Sequence, residues 1–168
     1  FRTPAFSAED HILSRARSMV EAGAAVLDLG AESTRPGSEP VPEQEEMERL
    51  IPAVAAVRKA FPETVLSADT WKAKVALEAV RAGADIINDI SGLGFDPDLP
   101  GAVAESGAAL VLSHIQGTPR DMQKDPRYDD TVGDILCYFE ERLSLAEKAG
   151  IPAERILLDP GLGFGKRR

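Results

Sequence analysis

Five polar side chains in this chain each close a run of apolar residues. Asp28 follows Ala25-Val26-Leu27, Asp69 follows Val65-Leu66-Ser67-Ala68, Asn88 follows Ile86-Ile87, His114 comes just after Ala109 to Leu112, and Asp159 follows Ile156-Leu157-Leu158. Carboxylates accept N–H donors and an amide offers a donor and an acceptor together, so the set is suited to gripping a polar ligand if the fold gathers it. The richest stretch is the last one. Asp159 is followed by Pro160, which cannot continue a ladder, and by Gly161, Gly163 and Gly165, which let backbone turn tightly beside a ligand, before Lys166. Two phosphate-binding patterns fail here: Pro160 holds the first-glycine place of a Walker A loop and Arg167 its Ser/Thr place, and the glycine spacing misses the dinucleotide fingerprint. Taken alone, the stretch reads as a turn with a capping Asp. His114 could be a base or a metal ligand, but the chain has two histidines and no paired ligand spacing, so it reads as a packed structural residue.

The elements that would position these residues recur with a clear rhythm. Ser7 to Glu21 reads as a helix, with Ser7 able to cap it and Ile12, Ala16, Met19 and Val20 on one face. A short strand over 25–27 leads into a long polar loop from Asp28 to Gly37. Pro42 opens a second helix, rich in Glu at its positive end, with Met47, Leu50, Ile51, Val54 and Val57 inward and a kink expected at Pro52. Strands over 65–68, 86–87, 109–112 and 156–158 follow, separated by helices over 71–81, near 102–105 and after Asp130. The last strand has no polar alternation, which predicts burial on both faces. Glu21-Ala22-Gly23, Arg81-Ala82-Gly83, Glu105-Ser106-Gly107 and Lys148-Ala149-Gly150 each end a helix just before a strand.

This is an array of βα units of roughly thirty residues, which right-handed crossovers wind into a parallel sheet or a barrel. In a (β/α) barrel the carboxyl ends of all strands point to one face, and five polar groups would converge there. Closing eight strands usually takes about 250 residues. The expectation is therefore a partial (β/α)8 TIM barrel: a single domain over residues 1–168 with about five of eight parallel strands, incomplete at both ends, lacking the first strand and the last two. A doubly wound open sheet is the alternative.

Composition limits the function classes. The 168 residues are 43% hydrophobic and 28% charged, an ordinary globular balance. No apolar run approaches a membrane span and no basic-then-apolar leader precedes Ser7, so neither a membrane role nor secretion is signalled. Cys137 is alone, which points to a reducing, cytoplasmic setting. The formal charge of -9 disfavours a nucleic-acid partner. An anionic small molecule would need a few cations gathered locally.

Read in order, the motifs resemble the dihydropteroate synthases, pterin-binding (β/α) barrels of folate biosynthesis. The resemblance is carried by Leu27-Asp28-Leu29-Gly30-Ala31-Glu32-Ser33-Thr34-Arg35-Pro36-Gly37, by Ser67-Ala68-Asp69-Thr70-Trp71-Lys72-Ala73, by Ile87-Asn88-Asp89, by Ser113-His114-Ile115-Gln116-Gly117-Thr118-Pro119, and by Leu158 through Lys166. Glu-Ser-Thr-Arg-Pro-Gly is the most specific block. What the resemblance implies is condensation of 6-hydroxymethyl-7,8-dihydropterin diphosphate with 4-aminobenzoate, giving 7,8-dihydropteroate and diphosphate, in a family that is the target of sulfonamides.

On that resemblance, Asp159 and Asn88 would take the pterin edge. Asp69 would accept a further ring proton and offset positive charge growing on the pterin methylene, with a helix N-cap as its plain alternative. Thr34 and Arg35 would hold diphosphate or order the site around aminobenzoate, Pro36 would stiffen their loop, and Phe164 would pack on the aminobenzoate ring. Ile90 and Ile115 would be apolar pterin walls or simply core, and Lys166 a solvated or diphosphate-facing cation. Magnesium is expected as cofactor, but the family's Asn ligand would lie upstream of Phe1, and the later Lys and Arg-x-His groups are absent, so no metal ligand is assigned. A homodimer of the full-length protein is compatible with the resemblance, and the 168 residues alone are expected to be inactive or nearly so. Two rivals stand beside this reading. A methyltetrahydrofolate:corrinoid methyltransferase would share Asp69, Asn88 and Asp159 but would not need the Thr34-Arg35-Pro36 loop. A non-catalytic pterin-binding remnant is the other.

Overall fold

The computed structural model describes residues 8–32 and 39–166. Helices and strands alternate throughout: α1 (Ala8–Glu21), β1 (Val26–Gly30), α2 (Glu43–Ala60), β2 (Val65–Asp69), α3 (Ala73–Arg81), β3 (Ile86–Asp89), α4 (Leu99–Ser106), β4 (Ala109–Ser113), α5 (Thr131–Lys148), a 3-10 turn (Ala153–Arg155) and β5 (Ile156–Asp159). The recurring glycines explain the rhythm. Gly23, Gly83, Gly107 and Gly150 follow α1, α3, α4 and α5 with φ between 75° and 116°, a left-handed geometry that closes a helix and that glycine adopts without a Cβ penalty.

The strands form one parallel sheet in the order β1-β2-β3-β4-β5. A doubly wound sheet reverses its strand order at a switch point. Here the order never reverses, so successive right-handed crossovers stack their helices on one side, and the five strands are an arc of a (β/α) barrel. Leu27, Leu66, Ala68, Ile87, Leu110 and Leu112 point to the helix side and share one buried core with Leu50, Val54 and Val57 of α2 and Val75 and Ala79 of α3. Each buried Leu, Ile or Val among them contributes about 1.5–3 kcal/mol by leaving water. Pro52 lies within α2 without ending it. Among the described residues, no helix is long and apolar enough to cross a membrane.

Beyond shifts of a few residues at element ends, β1 and β5 depart from the sequence reading in ways that bear on the site. β1 was expected to stop at Leu27, yet it runs on through Asp28-Leu29-Gly30, because each of those residues finds a ladder partner in β2: Asp28 with Ser67, Leu29 with Ala68, Gly30 with Asp69. Pairing to a neighbour outweighs the poor strand propensity of Asp and Gly. β5 was expected to be buried on both faces, yet Leu157 and Leu158 are 54% and 46% exposed. Among the described residues its ladder is made with β4 alone, so on its other side no described strand covers it.

Candidate functional site

The register decides which polar groups meet. Residues paired across parallel strands point to the same face, and alternate residues of each strand return to it. Gly30 pairs with Asp69, Asp69 with Asn88, Asn88 with Val111, and Val111 with Leu157. One layer nearer the carboxyl ends, Ser113 pairs with Asp159. One layer below the first set lies Asp28, opposite Ser67. Asp28, Asp69, Asn88 and Asp159 therefore share the face turned away from the helices, at the strands' carboxyl ends. His114 does not join them. It follows Ser113 on the opposite parity, is buried, and stacks edge-on against Tyr138 of α5 with ring centroids 4.7 Å apart. Of five polar groups expected to converge, four do, and the histidine is the packed residue its lack of partners suggested.

Asp69 lies between two of these strands. Gly30 beside it leaves room for the acid: a Cβ there would stand 3.2 Å from the Asp69 Cβ and 3.3 Å from its Oδ2, a tight fit that would press on the carboxylate. Burial, and then the nearby carboxylates of Asp28, Glu46, Glu32 and Asp89, push the Asp69 carboxyl up to about 7. Asn88 Nδ2 donates to Asp28 Oδ2 at 3.1 Å, which aims the amide along the same rim. Asp159 is exposed, and its Oδ1 accepts the Gly161 N–H at 2.8 Å. The capping turn read from the sequence thus exists, and one carboxylate oxygen is left over for a ligand.

The glycine loop after β5 is fastened from inside by Lys166. Its Nζ donates to the carbonyls of Gly161 at 2.9 Å and Phe164 at 3.0 Å, and lies 2.9 Å from His114 Nδ1. An ammonium can donate to that ring nitrogen only if the nitrogen is unprotonated. Burial, and then the Lys166 charge, hold His114 below its ordinary range and favour that form, while burial also lowers Lys166 against the pull of Asp159. The cation expected to face solvent or diphosphate is therefore committed to its own loop, because three carbonyl and imidazole acceptors lie within its reach. Phe164 is half-buried on this loop. Ile90 and Ile115 are both buried but stand outside the main apolar core. Thr34, Arg35 and Pro36 lie outside the described residues.

With this geometry in hand, comparison with known proteins is decisive. The family model described as "Pterin binding enzyme" matches residues 1–168. The chain belongs to the pterin-binding enzyme family. It is 46% identical over 154 residues to the dihydropteroate synthase of Escherichia coli (strain K12), a match that covers 92% of this chain and 54% of that protein. Among solved structures, the Yersinia pestis dihydropteroate synthase in complex with a sulfonamide drug superposes with a TM-score of 0.89 at 45% identity, covering 92% of this chain and 56% of the other. The Burkholderia cenocepacia dihydropteroate synthase complexed with 7,8-dihydropteroate gives 0.86 at 44%, covering 96% and 57%. The chain thus spans about half the length of the curated relatives it matches.

Within this member of the pterin-binding enzyme family, several residues near the site had no chemical role in the sequence reading. Asp28 was counted among the converging polar groups but given no part in the ligand chemistry, since a strand boundary drawn too early placed it in a loop. Glu46 is another. The sequence reading placed the glutamates of α2 only at its positive end, yet Glu46 is 1% exposed, and its spacing from Leu50 and Val54 at steps of four marks it as inward-facing. Lys72 and Glu32 complete a buried ion triad with it. Among the described residues, no group of three or more His, Cys, Asp or Glu side chains is arranged to hold a metal ion.

Proposed function

We propose that the protein to which this chain belongs condenses 6-hydroxymethyl-7,8-dihydropterin diphosphate with 4-aminobenzoate, forming 7,8-dihydropteroate and releasing diphosphate. The observation that carries the reading is the shared face of Asp69, Asn88 and Asp159, two acids and an amide from β2, β3 and β5. A pterin edge presents an amino group and ring N–H groups side by side. A carboxylate takes two such donors, and in a desolvated site each charge-assisted bond contributes about 1.5–3 kcal/mol. Asn88 matches an edge that alternates donor and acceptor.

In the reaction a bond forms between the aminobenzoate nitrogen and the pterin methylene carbon, the carbon–oxygen bond to diphosphate breaks with its electrons leaving on oxygen, and the amine loses a proton. Positive charge grows on the methylene as diphosphate departs. Asp69, as its carboxylate, would offset that charge. Thr34 and Arg35 would hold the leaving diphosphate or order the aminobenzoate side, on a loop stiffened by Pro36. Phe164 would pack against the aminobenzoate ring, Ile90 and Ile115 would wall the pterin, and Lys166 would act by holding the glycine loop in shape. A sulfonamide, sharing the aniline ring, would compete with aminobenzoate. The described residues gather no ligand set for the magnesium that the resemblance implies. The lone Cys137 supports a reducing compartment.

Calorimetry on the full-length protein tests the reading. Pterin diphosphate, or a non-reacting pterin, should bind alone, and 4-aminobenzoate should bind measurably only once the pterin side is filled. Aminobenzoate affinity indifferent to pterin, or no pterin binding at all, would overturn it.

A further inference from the structure

The ring of Tyr138 on α5 is fixed from two sides, by His114 edge-on at 4.7 Å and by the Arg142 guanidinium 5.0 Å from its centroid. Its hydroxyl reaches main-chain carbonyls at the ends of two different strands. Ser91 O, in the loop after β3, lies at 3.1 Å, and Ser113 O, at the end of β4, lies at 3.3 Å. One proton is shared between them in a three-centre bond. Burial pushes the Tyr138 hydroxyl up to about 12, so it keeps that proton throughout the ordinary pH range.

The backbone opposite is shaped for this hydroxyl. Gly92 has φ +60°, and a Cβ on it would run into the Tyr138 hydroxyl oxygen and stand 2.8 Å from Ser113 O. Leu93 follows with φ 62°, a strained conformation for a residue that carries a Cβ. Asp89, itself fully buried, winds the same turn from within: Oδ1 accepts the Ser91 N–H at 2.8 Å and Oδ2 the Leu93 N–H at 2.6 Å. The ladder between β3 and β4 ends where Asp89 pairs with Leu112. The hydroxyl bridges the two chains just past that point, where no ladder sets their spacing. A phenylalanine at 138 would fill the same space, but it would take a donor away from the carbonyls of two serines that are 3% and 4% exposed.

The bridged backbone carries Ile90, one residue before Ser91, and Ile115, two residues after Ser113. We propose that Tyr138 is a positioning residue, whose hydroxyl, seated in the notch at Gly92, sets the distance between Ile90 and Ile115 as the two walls of the pterin slot. It acts from the helix side, through the backbone. The proposal rests on the synthase reading for what fills the slot.

Removing one oxygen atom provides the test. In the full-length protein, Tyr138→Phe is expected to raise the Kd of 6-hydroxymethylpterin, which has no diphosphate to lose, about fivefold by calorimetry. Phe139→Leu, which opens space in the core at the next residue of the same helix, should lower the melting temperature at least as much and leave that Kd within about twofold. Placing 4-aminophenylalanine at position 138 puts an N–H donor back at the same end of the ring and should return the Kd to within about twofold of the parent. An unchanged Kd in Tyr138→Phe, an equal rise in Phe139→Leu, or no recovery with the amine would sink the bridge and leave Tyr138 a packing residue. A second readout needs no ligand. Amide exchange over residues 90–94 should quicken in Tyr138→Phe more than exchange in α4 does, and in Phe139→Leu the two should change together; a uniform change in both variants would contradict the proposal. If the parent protein does not bind the pterin, the synthase reading fails while the exchange result still judges the bridge.

Discussion

Asp69 is poised to carry its charge only above neutrality, because burial and four neighbouring carboxylates raise it to about 7 from an unfolded value near 3.9. The sign follows directly. Between those two values the folded chain binds a proton that the unfolded chain has released, so stability falls as pH rises from about 4 to about 7 and levels off beyond. Asp69→Asn should flatten this slope, leaving the share of Asp89, which burial also raises, and make the protein more stable than the parent above pH 7, measured by denaturant unfolding across the range. Ligand binding should run the other way. A carboxylate that must accept ring N–H groups works in its charged form, so pterin affinity should climb as pH passes through about 7 and the climb should be missing in Asp69→Asn. A flat profile in the parent would mean that Asp69 does not meet the ligand. Asp159 and His114 separate on the same logic. Asp159→Asn replaces an acceptor by a mixed donor and acceptor on the ligand face and should weaken pterin binding at least about tenfold. His114→Gln, changed on the helix side against Tyr138, should leave that affinity nearly intact, and calorimetry showing equal losses would contradict the assignment.

At the scale of elements, the loop after β5 shows how local chemistry becomes positioning. Gly161 has φ +63°, and a Cβ there would run into the carbonyl oxygen of His114. Gly163, two residues on, has no atom near its would-be Cβ. Gly161→Ala should therefore cost both thermal stability and pterin affinity, while Gly163→Ala should cost neither and raise the melting temperature by at most about 4 °C; equal effects would show that loop shape is not what the glycines protect. Much of this level was legible in the sequence. Four helix-ending glycines ahead of apolar runs located the βα units, since few other residues accept that backbone geometry. Strand limits were less legible: β1 reaches Gly30 only because β2 lies alongside, and pairing is a tertiary fact that a local pattern does not carry. Glu46 was legible by its spacing and obscured by its charge. A glutamate on an inward stripe needs a buried cation to be reasonable, and Lys72 arrives from 26 residues away. Breaking that triad by removing the lysine alone would strand two carboxylates at a cost of about 3–5 kcal/mol.

For the molecule as a whole, the convergence of Asp69, Asn88 and Asp159 follows from an unreversed strand order. The sequence motifs could name these residues, but only the parallel register shows that an acid on β2 and another on β5 look toward the same side. His114 illustrates the limit: the motif places it at a strand end like the others, and a single step of parity turns it to the helices. The same architecture carries a liability. Among the described strands, β1 and β5 each pair with one neighbour, and Val26, Val65, Leu157, Leu158 and Leu162 are exposed. Parallel sheets are ordinarily covered on both faces, and an uncapped edge with apolar side chains is a template for another strand. Residues 1–168 on their own should consequently self-associate with rising concentration and show no dihydropteroate formation, with sedimentation velocity and a turnover assay as the measurements. Leu158→Lys puts a charge on the exposed edge and should reduce the association without restoring turnover, because the charge blocks edge pairing but supplies no further wall to the ligand face. A monodisperse, fully active 168-residue chain would mean that the five-strand arc is sufficient by itself to hold both substrates.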